Sequence, residues 1–98
     1  MKIVWTPLAA DRLQEIADYI ALDKPDAAHR WVESTLDRVE ALSENPEIGR
    51  VVPEFKDPGL RELLFGNYRV IYRAFQKQIV ILTVRNFKQL LPSSESEF

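Results

Sequence analysis

The sequence predicts an α+β fold with the element order β-α-α-β-β-β, in which a helix hairpin packs on one face of a small, mainly antiparallel sheet. Apolar residues recur at three- and four-residue steps between residues 7 and 44, which is the spacing of amphipathic helices. Residues 60–86 are rich in β-branched and aromatic side chains and contain a tight-turn signal, so they predict three strands. With 98 residues, 46% of them hydrophobic, the chain is long enough for one core, and we expect one domain over residues 1–98.

The chain begins with a predicted strand at Met1–Trp5, followed by the first helix. Thr6 is a favoured N-cap residue and Pro7 is favoured in the first turn, so the helix begins there. It is expected to end near Leu22, because Pro25 disfavours helical geometry in the residue before it.

The second helix is predicted to open at Asp23 or Lys24 and to stop at Glu44-Asn45-Pro46. The short connection makes the two helices an antiparallel pair. Residues 46–59 contain three of the six prolines but keep apolar side chains for packing, which predicts an ordered crossover. Those apolar residues are Ile48, Val51, Val52 and Phe55. Residues 90–98 are mostly polar and are expected to fray.

The turn signals predict which side chains share a face of the sheet. If Gly66-Asn67 is a two-residue loop, Phe65 pairs with Tyr68, and a turn at Gln76-Lys77 pairs Phe75 with Gln78. Because side chains alternate along a strand, one face carries Arg61, Leu63, Phe65, Tyr68, Val70, Tyr72, Ala74, Ile79, Ile81, Thr83 and Arg85. The other face carries Leu60, Glu62, Leu64, Arg69, Ile71, Arg73, Val80, Leu82 and Val84.

The first of these faces is the better core for the helices, which leaves the second face open. It is apolar but holds Arg69 and Arg73 beside Glu62, so an incoming segment could bury its aliphatic side chains and pair its arginines. We therefore predict a partner site on the open face. The alternatives are that the C-terminal segment folds back over it or that a second copy covers it.

Composition and charge exclude several classes of protein. The chain has no cysteine and one histidine, so we expect no disulfide, no thiol chemistry and no metal or cofactor site. No apolar run reaches about 18 residues and the N-terminus does not resemble a signal peptide, so we expect a cytoplasmic protein. Residues 1–49 carry five Lys/Arg against ten Asp/Glu and residues 50–89 carry eight against three, so an acidic half precedes a basic half. The basic half either binds an acidic or nucleic-acid partner or is neutralised by the acidic half.

Several short motifs occur in a characteristic order along the chain. They are Trp5-Thr6, Asp23-Lys24-Pro25, Asn45-Pro46-Glu47-Ile48-Gly49-Arg50, Val52-Pro53-Glu54, Arg61-Glu62-Leu63 and Gly66-Asn67-Tyr68-Arg69-Val70-Ile71-Tyr72. In this combination the chain resembles the RelE/ParE superfamily of bacterial toxins from toxin–antitoxin modules, and most closely its ParE, or plasmid-stabilisation, branch. The resemblance extends from Lys2 to about Lys88.

The resemblance implies a compact toxin that a cognate antitoxin holds inactive. RelE-like members cleave mRNA in the ribosomal A site, whereas ParE-like members inhibit DNA gyrase. The RelE-type nuclease uses basic residues and a tyrosine on the open sheet face. Arg69 matches one family arginine, but Leu60 and Glu62 stand where RelE carries lysines, Gln89 stands in place of a later basic residue, and no tyrosine follows Tyr72.

The leading hypothesis is therefore a non-enzymatic toxin with no catalytic residues, which inhibits DNA gyrase by protein–protein contact and does not bind nucleic acid directly. The predicted antitoxin-binding residues are Leu64, Arg69, Ile71, Arg73, Leu82 and Val84. Two alternatives stay open. One is a ribosome-dependent mRNA endonuclease that uses Arg69, Arg73, Arg85 and Lys88, and the other is an inactive remnant that only binds its antitoxin or a second copy.

Overall fold

A computed structural model of the chain describes residues 1–86. The elements are β1 (Lys2–Trp5), α1 (Pro7–Ala21), α2 (Pro25–Glu40), a 3-10 turn (Ala41–Ser43), β2 (Arg50–Val51), β3 (Leu60–Phe65), β4 (Tyr68–Ala74) and β5 (Gln78–Asn86). The predicted α+β fold is confirmed, with a fifth strand, β2, inside the crossover where the sequence predicted none. The tail at 90–98, with Lys88 and Gln89, lies outside the described residues.

The start of α1 is fixed to the sheet by its cap. The Thr6 hydroxyl oxygen accepts a hydrogen bond from the Ala9 N–H at 3.1 Å, as the sequence predicted for an N-cap. The same hydroxyl lies 2.9 Å from the Ile81 carbonyl oxygen on β5, to which it donates. The Thr6 side chain therefore provides a hydrogen-bond acceptor for a backbone N–H at the start of α1 and also sets the position of α1 on β5.

The sheet is mixed, with the strand order β1-β5-β4-β3-β2. β1 lies parallel to β5, and the other three strand pairs are antiparallel. Both predicted hairpin registers are confirmed, since Phe65 pairs with Tyr68 and the Phe75 N–H donates to the Gln78 carbonyl at 2.8 Å. Gly66 has a φ of 59°, a left-handed conformation that glycine adopts without strain in a tight turn.

A register shift in β5 changes the side-chain pattern of the sheet. Ile71 pairs with Thr83 and the next residue, Tyr72, pairs with Ile81, so Leu82 is an extra residue. Beyond this bulge the alternation of faces is reversed. Val84 consequently packs in the helix-side core, with 1% of its surface exposed, and its predicted place on the opposite face is wrong.

Apolar clusters form on both faces of the sheet. On one face α1 and α2 cover the larger cluster, in which Ala9, Val39 and Leu42 meet the side chains of β4 and β5. On the other face Leu60, Ile71 and Leu82 pack under Val52, with Phe55 against them. The second face is thus covered by residues 52–57 of the crossover, which we call the strap.

Candidate functional site

The strap lies over the sheet face that the sequence predicted to be open. Ile71 is fully buried, Leu82 is 7% exposed and Arg69 is 4% exposed. The prediction of an uncovered face is therefore wrong, because Val52 and Phe55 of the crossover supply the apolar cover. The apolar residues of the crossover were the sequence signal for this arrangement.

Arg69 is the centre of a cluster of charges beneath the strap. Its Nε donates to Glu62 Oε1 at 2.7 Å, and its Nη1 and Nη2 donate to the two carboxylate oxygens of Glu54 at 2.7 and 2.8 Å. The Glu54 hydrogen bonds are the main reason why the pKa of Arg69 is raised, with Glu62 adding to the effect against the cost of burial. The two-pronged contact matches the planar guanidinium to the carboxylate and fixes the strap on β4.

Glu62 is a buried carboxylate on β3, with 1% of its surface exposed. It accepts hydrogen bonds from Arg69 and, at 2.6 Å, from Nε of Arg50 on β2. Two guanidinium groups therefore compensate a charge that burial alone would disfavour strongly. The cluster connects β2, β3, β4 and the strap.

Arg73 holds the far end of the strap. Its Nη2 donates to Asp57 Oδ2 at 2.9 Å, and the Gly59 N–H donates to Asp57 Oδ1 at the same distance. The hydrogen bond from Arg73, followed by that from Gly59, lowers the pKa of Asp57. An added Cβ at Gly59 would lie 2.9 Å from Nη1 of Arg73, so a larger residue there would require the arginine side chain to move.

Tyr72 fixes the loop that precedes β2, a role that the sequence did not reveal. Its buried hydroxyl donates to the Pro46 carbonyl at 2.7 Å and accepts from the Gly49 N–H at 2.9 Å. Arg61 Nη1 in turn donates to the Gly49 carbonyl at 2.8 Å. Burial is the main reason why the pKa of Tyr72 is raised. A Cβ on Gly49 would lie 2.5 Å from the tyrosine hydroxyl, so no larger residue fits there without movement.

The structure brings the six predicted binding residues together only in part. Arg69, Arg73, Ile71 and Leu82 share the strap-covered face, whereas Val84 lies in the core on the opposite face. Leu64 is 45% exposed on β3, and the Arg73 side chain is 25% exposed. Only these two present substantial surface to a partner.

The three arginines of β3 and β4 each bind a group within the domain. Arg69 and Arg73 are each bound to strap carboxylates, and Arg61 is directed at the Gly49 carbonyl. Within residues 1–86 no group of three or more His, Cys, Asp or Glu side chains is placed to hold a metal ion. No helix in the same range is long and apolar enough to span a membrane.

Comparisons with known proteins agree with this architecture. A family model described as the ParE toxin of type II toxin-antitoxin system, parDE, matches residues 3–91. A relative from Sinorhizobium fredii named "Putative toxin Y4kP" is 39% identical over 97 residues, covering 93% of each chain.

Two solved structures share the fold. The chromosomal ParDE toxin–antitoxin system of P. aeruginosa matches with a TM-score of 0.74 and 27% identity, over 88% of this chain and 95% of that chain. The toxin–antitoxin complex RelBE2 of Mycobacterium tuberculosis matches with a TM-score of 0.62 and 21% identity, over 87% and 95% of the two chains, and this likeness concerns the fold alone.

Proposed function

Because the chain belongs to the ParE family of toxins from type II toxin–antitoxin systems, we propose that it inhibits DNA gyrase by protein–protein contact and that a cognate antitoxin neutralises it. It acts in the cytoplasm, without a cofactor and without catalytic residues of its own. Two findings support this proposal: the family match over residues 3–91, and the pairing of Arg69 and Arg73 on the sheet face with carboxylates.

The observation that carries the non-enzymatic mechanism is the neutralisation of the arginine cluster. A nuclease stabilises the charge that develops on a phosphate by donors aimed at the reacting group. Here the donors of Arg69 point at Glu54 and Glu62, which would also repel a phosphate. The chain is acidic as a whole, with a net charge of −2, which further disfavours binding to the many phosphates of ribosomal RNA.

The proposed antitoxin contact uses the accessible part of the residue set predicted from the sequence. Leu64 and Arg73 contact the antitoxin directly in this proposal. Arg69, Ile71 and Leu82 support that surface from beneath the strap, and Val84 has no part in it.

The decisive experiment is a DNA supercoiling assay with purified gyrase and excess folded toxin. We expect supercoiling to stop, and we expect activity to return when the toxin is first bound to the protein encoded by the reading frame immediately upstream, where we expect the antitoxin gene. The preformed complex is the control, because it contains the same amount of toxin. Undiminished supercoiling with a folded toxin would reject gyrase as the target.

A parallel assay with ribosome-bound mRNA distinguishes the proposed gyrase inhibitor from the alternative, a ribosome-dependent endonuclease. The proposed mechanism predicts intact mRNA at toxin concentrations that stop gyrase. Cleavage that disappears in the Arg69→Ala variant would instead establish the nuclease. Growth arrest on induction of the toxin alone distinguishes both activities from an inactive remnant.

A further inference from the structure

Strand β3 has an edge that β2 covers only in part. Within the described residues β2 pairs with Glu62 and Arg61 and with nothing further along β3. The Val52 N–H donates to the Leu60 carbonyl at 3.2 Å, so the main chain of Leu60 faces the β2 side. Because this direction alternates along an antiparallel strand, the main-chain N–H and C=O of Leu64 face the same side, beyond the end of β2.

The chain before β2 is held away from this open position. Its Gly49 N–H is bound to the Tyr72 hydroxyl, and the Gly49 carbonyl accepts from Arg61. The Ile48 N–H donates to the Asn45 carbonyl at 3.2 Å and so closes a turn. The Ile48 N–H, which would pair with Leu64 if β2 continued in the same register, is used in this turn. The contacts of Gly49 fix the direction in which the chain leaves the sheet, and the edge at Leu64 therefore stays available for a strand from elsewhere.

The side chains around the edge suit an apolar residue flanked by carboxylates. Leu64 is 45% exposed and Ile48 is 55% exposed, and both line a shallow cavity of about 270 Å³. Arg38 and Arg50 also line it. The Arg38 guanidinium lies 4.6 Å from the centre of the Phe65 ring, and the Arg50 side chain is 57% exposed although its Nε holds Glu62.

We propose that an extended, acidic segment of the antitoxin adds to the sheet at Leu64, antiparallel to β3 and in line with β2. This inference rests on the proposed function, because it names the segment by which the antitoxin engages the toxin. The residue opposite Leu64 is apolar, and its neighbours place carboxylates toward Arg38 and Arg50.

The positive charges beside the Leu64 edge indicate that the added strand comes from a protein of different sequence and not from a second copy of this chain. A second copy meeting this edge by two-fold symmetry would set the same patch against itself and bring Arg38 and Arg50 against their own equivalents. Like charges facing each other across an interface are unfavourable. An acidic segment instead gains two main-chain hydrogen bonds at Leu64 and two opposite charges beside them.

Amide hydrogen exchange tests the proposed pairing directly, with the full-length product of the adjacent antitoxin gene as the probe. The Leu64 N–H is expected to exchange at least about tenfold more slowly in the complex than in the free toxin. The Leu63 N–H, which faces β4, serves as the control and stays protected in both states. A Leu64 amide that exchanges equally fast in a formed complex would overturn the inference.

Charge substitutions at the same position supply a second readout. Leu64→Glu is expected to weaken antitoxin binding by at least about tenfold, and Leu64→Lys by clearly less, because only the first repels an acidic segment. Leu22→Glu, at a position 86% exposed at the end of α1, is the matched control and leaves binding unchanged. Equal effects of Glu and Lys at position 64 would reject the acidic segment. Failure of wild-type toxin to bind the antitoxin would instead reject the proposed function itself.

Discussion

Glu62 and Arg69 are charged residues inside a small domain, and each makes the burial of the other tolerable. Glu62 lies between Arg69 and Arg50, and Arg69 lies between Glu62 and Glu54. A buried ion pair of this kind adds little stability compared with apolar residues of the same size, but the loss of one partner leaves an uncompensated charge. The main effect of the cluster is therefore to determine that β2, β3, β4 and the strap lie together. Compared with apolar residues of the same size, its contribution to the free energy of unfolding is small.

The Arg69→Met substitution tests this view of the cluster. It leaves Glu62 buried with Arg50 as its remaining partner, and we expect the free energy of unfolding to fall by about 3–5 kcal/mol. Urea denaturation followed by circular dichroism measures the change. Arg30→Met, on the exposed surface of α2, is the control and should shift it by less than about 0.5 kcal/mol. A loss at position 69 no larger than that of the control would show that the charges do not hold the strap.

The Tyr72 hydroxyl is a second buried polar group with two partners. Tyr72→Phe leaves the Gly49 N–H and the Pro46 carbonyl without it, and we expect a loss of about 1–3 kcal/mol in the free energy of unfolding. Tyr19→Phe, at a position 73% exposed, is the matched control and should be neutral. Thermal unfolding of the two variants side by side gives the comparison, and equal midpoints would contradict the assigned role.

At the level of the elements, features with a local sequence signal were predicted, whereas the cover provided by the strap and the bulge in β5 were not. The helix starts, the hairpin registers and the packing of the helices on one face follow from local signals such as Thr6-Pro7 and Gly66-Asn67. The second helix was predicted to continue to Glu44, whereas α2 ends at Glu40 and a 3-10 turn follows it. The bulge at Leu82 has no local signal, because no glycine or proline marks it, and one extra residue reverses the face of Val84. β2 was missed because two residues are too few to show an alternating pattern.

The candidate site shows the same division. The alternation of side chains along the strands placed Arg69 and Arg73 correctly on one face, but it did not reveal which carboxylates they bind. Glu54 and Asp57 lie 15 and 16 residues away along the chain, and their approach depends on the path of the crossover. Contacts of that range are set by tertiary packing, and the residue pattern of the strands holds no information about them.

The Asp57–Arg73 contact makes the end of the strap sensitive to acid. The folded-state pKa of Asp57 lies below the ordinary value of 3.8, so its contribution to stability is present above that value and is lost as the pH falls through the folded pKa. We expect exchange of the Gly59 amide, which donates to Asp57, to accelerate below about pH 4 once the intrinsic pH dependence of exchange is removed. In Asp57→Asn the acid step should vanish, whereas Asp37→Asn on the exposed surface of α2 should keep it. An identical pH profile in Asp57→Asn would contradict this assignment.

At the scale of the whole molecule, an acidic helical half and a basic strand half meet within one small domain. Part of the positive charge of the basic half is compensated locally, since Glu54, Asp57 and Glu62 belong to the same half as the arginines they bind. The acidic helices keep their charge at the surface, as the exposed Glu33 beside His29 illustrates. The molecule therefore presents an acidic helical side and a sheet in which Arg50, Arg69 and Arg73 are bound to carboxylates.

This distribution predicts how the toxin responds to nucleic acid when the strap carboxylates are removed. The double variant Glu54→Gln/Asp57→Asn releases guanidinium donors of Arg69 and Arg73. If both then contact phosphate, the plot of log affinity for single-stranded RNA against log salt concentration should steepen by about 1.4, from a contribution of about 0.7 per contact. The variant Glu33→Gln/Asp37→Asn changes the net charge equally but alters the exposed face of α2, and it should leave the slope unchanged. Fluorescence anisotropy over a salt series measures both slopes. Equal slopes for the two double variants would show that Arg69 and Arg73 do not contact phosphate when the strap carboxylates are removed.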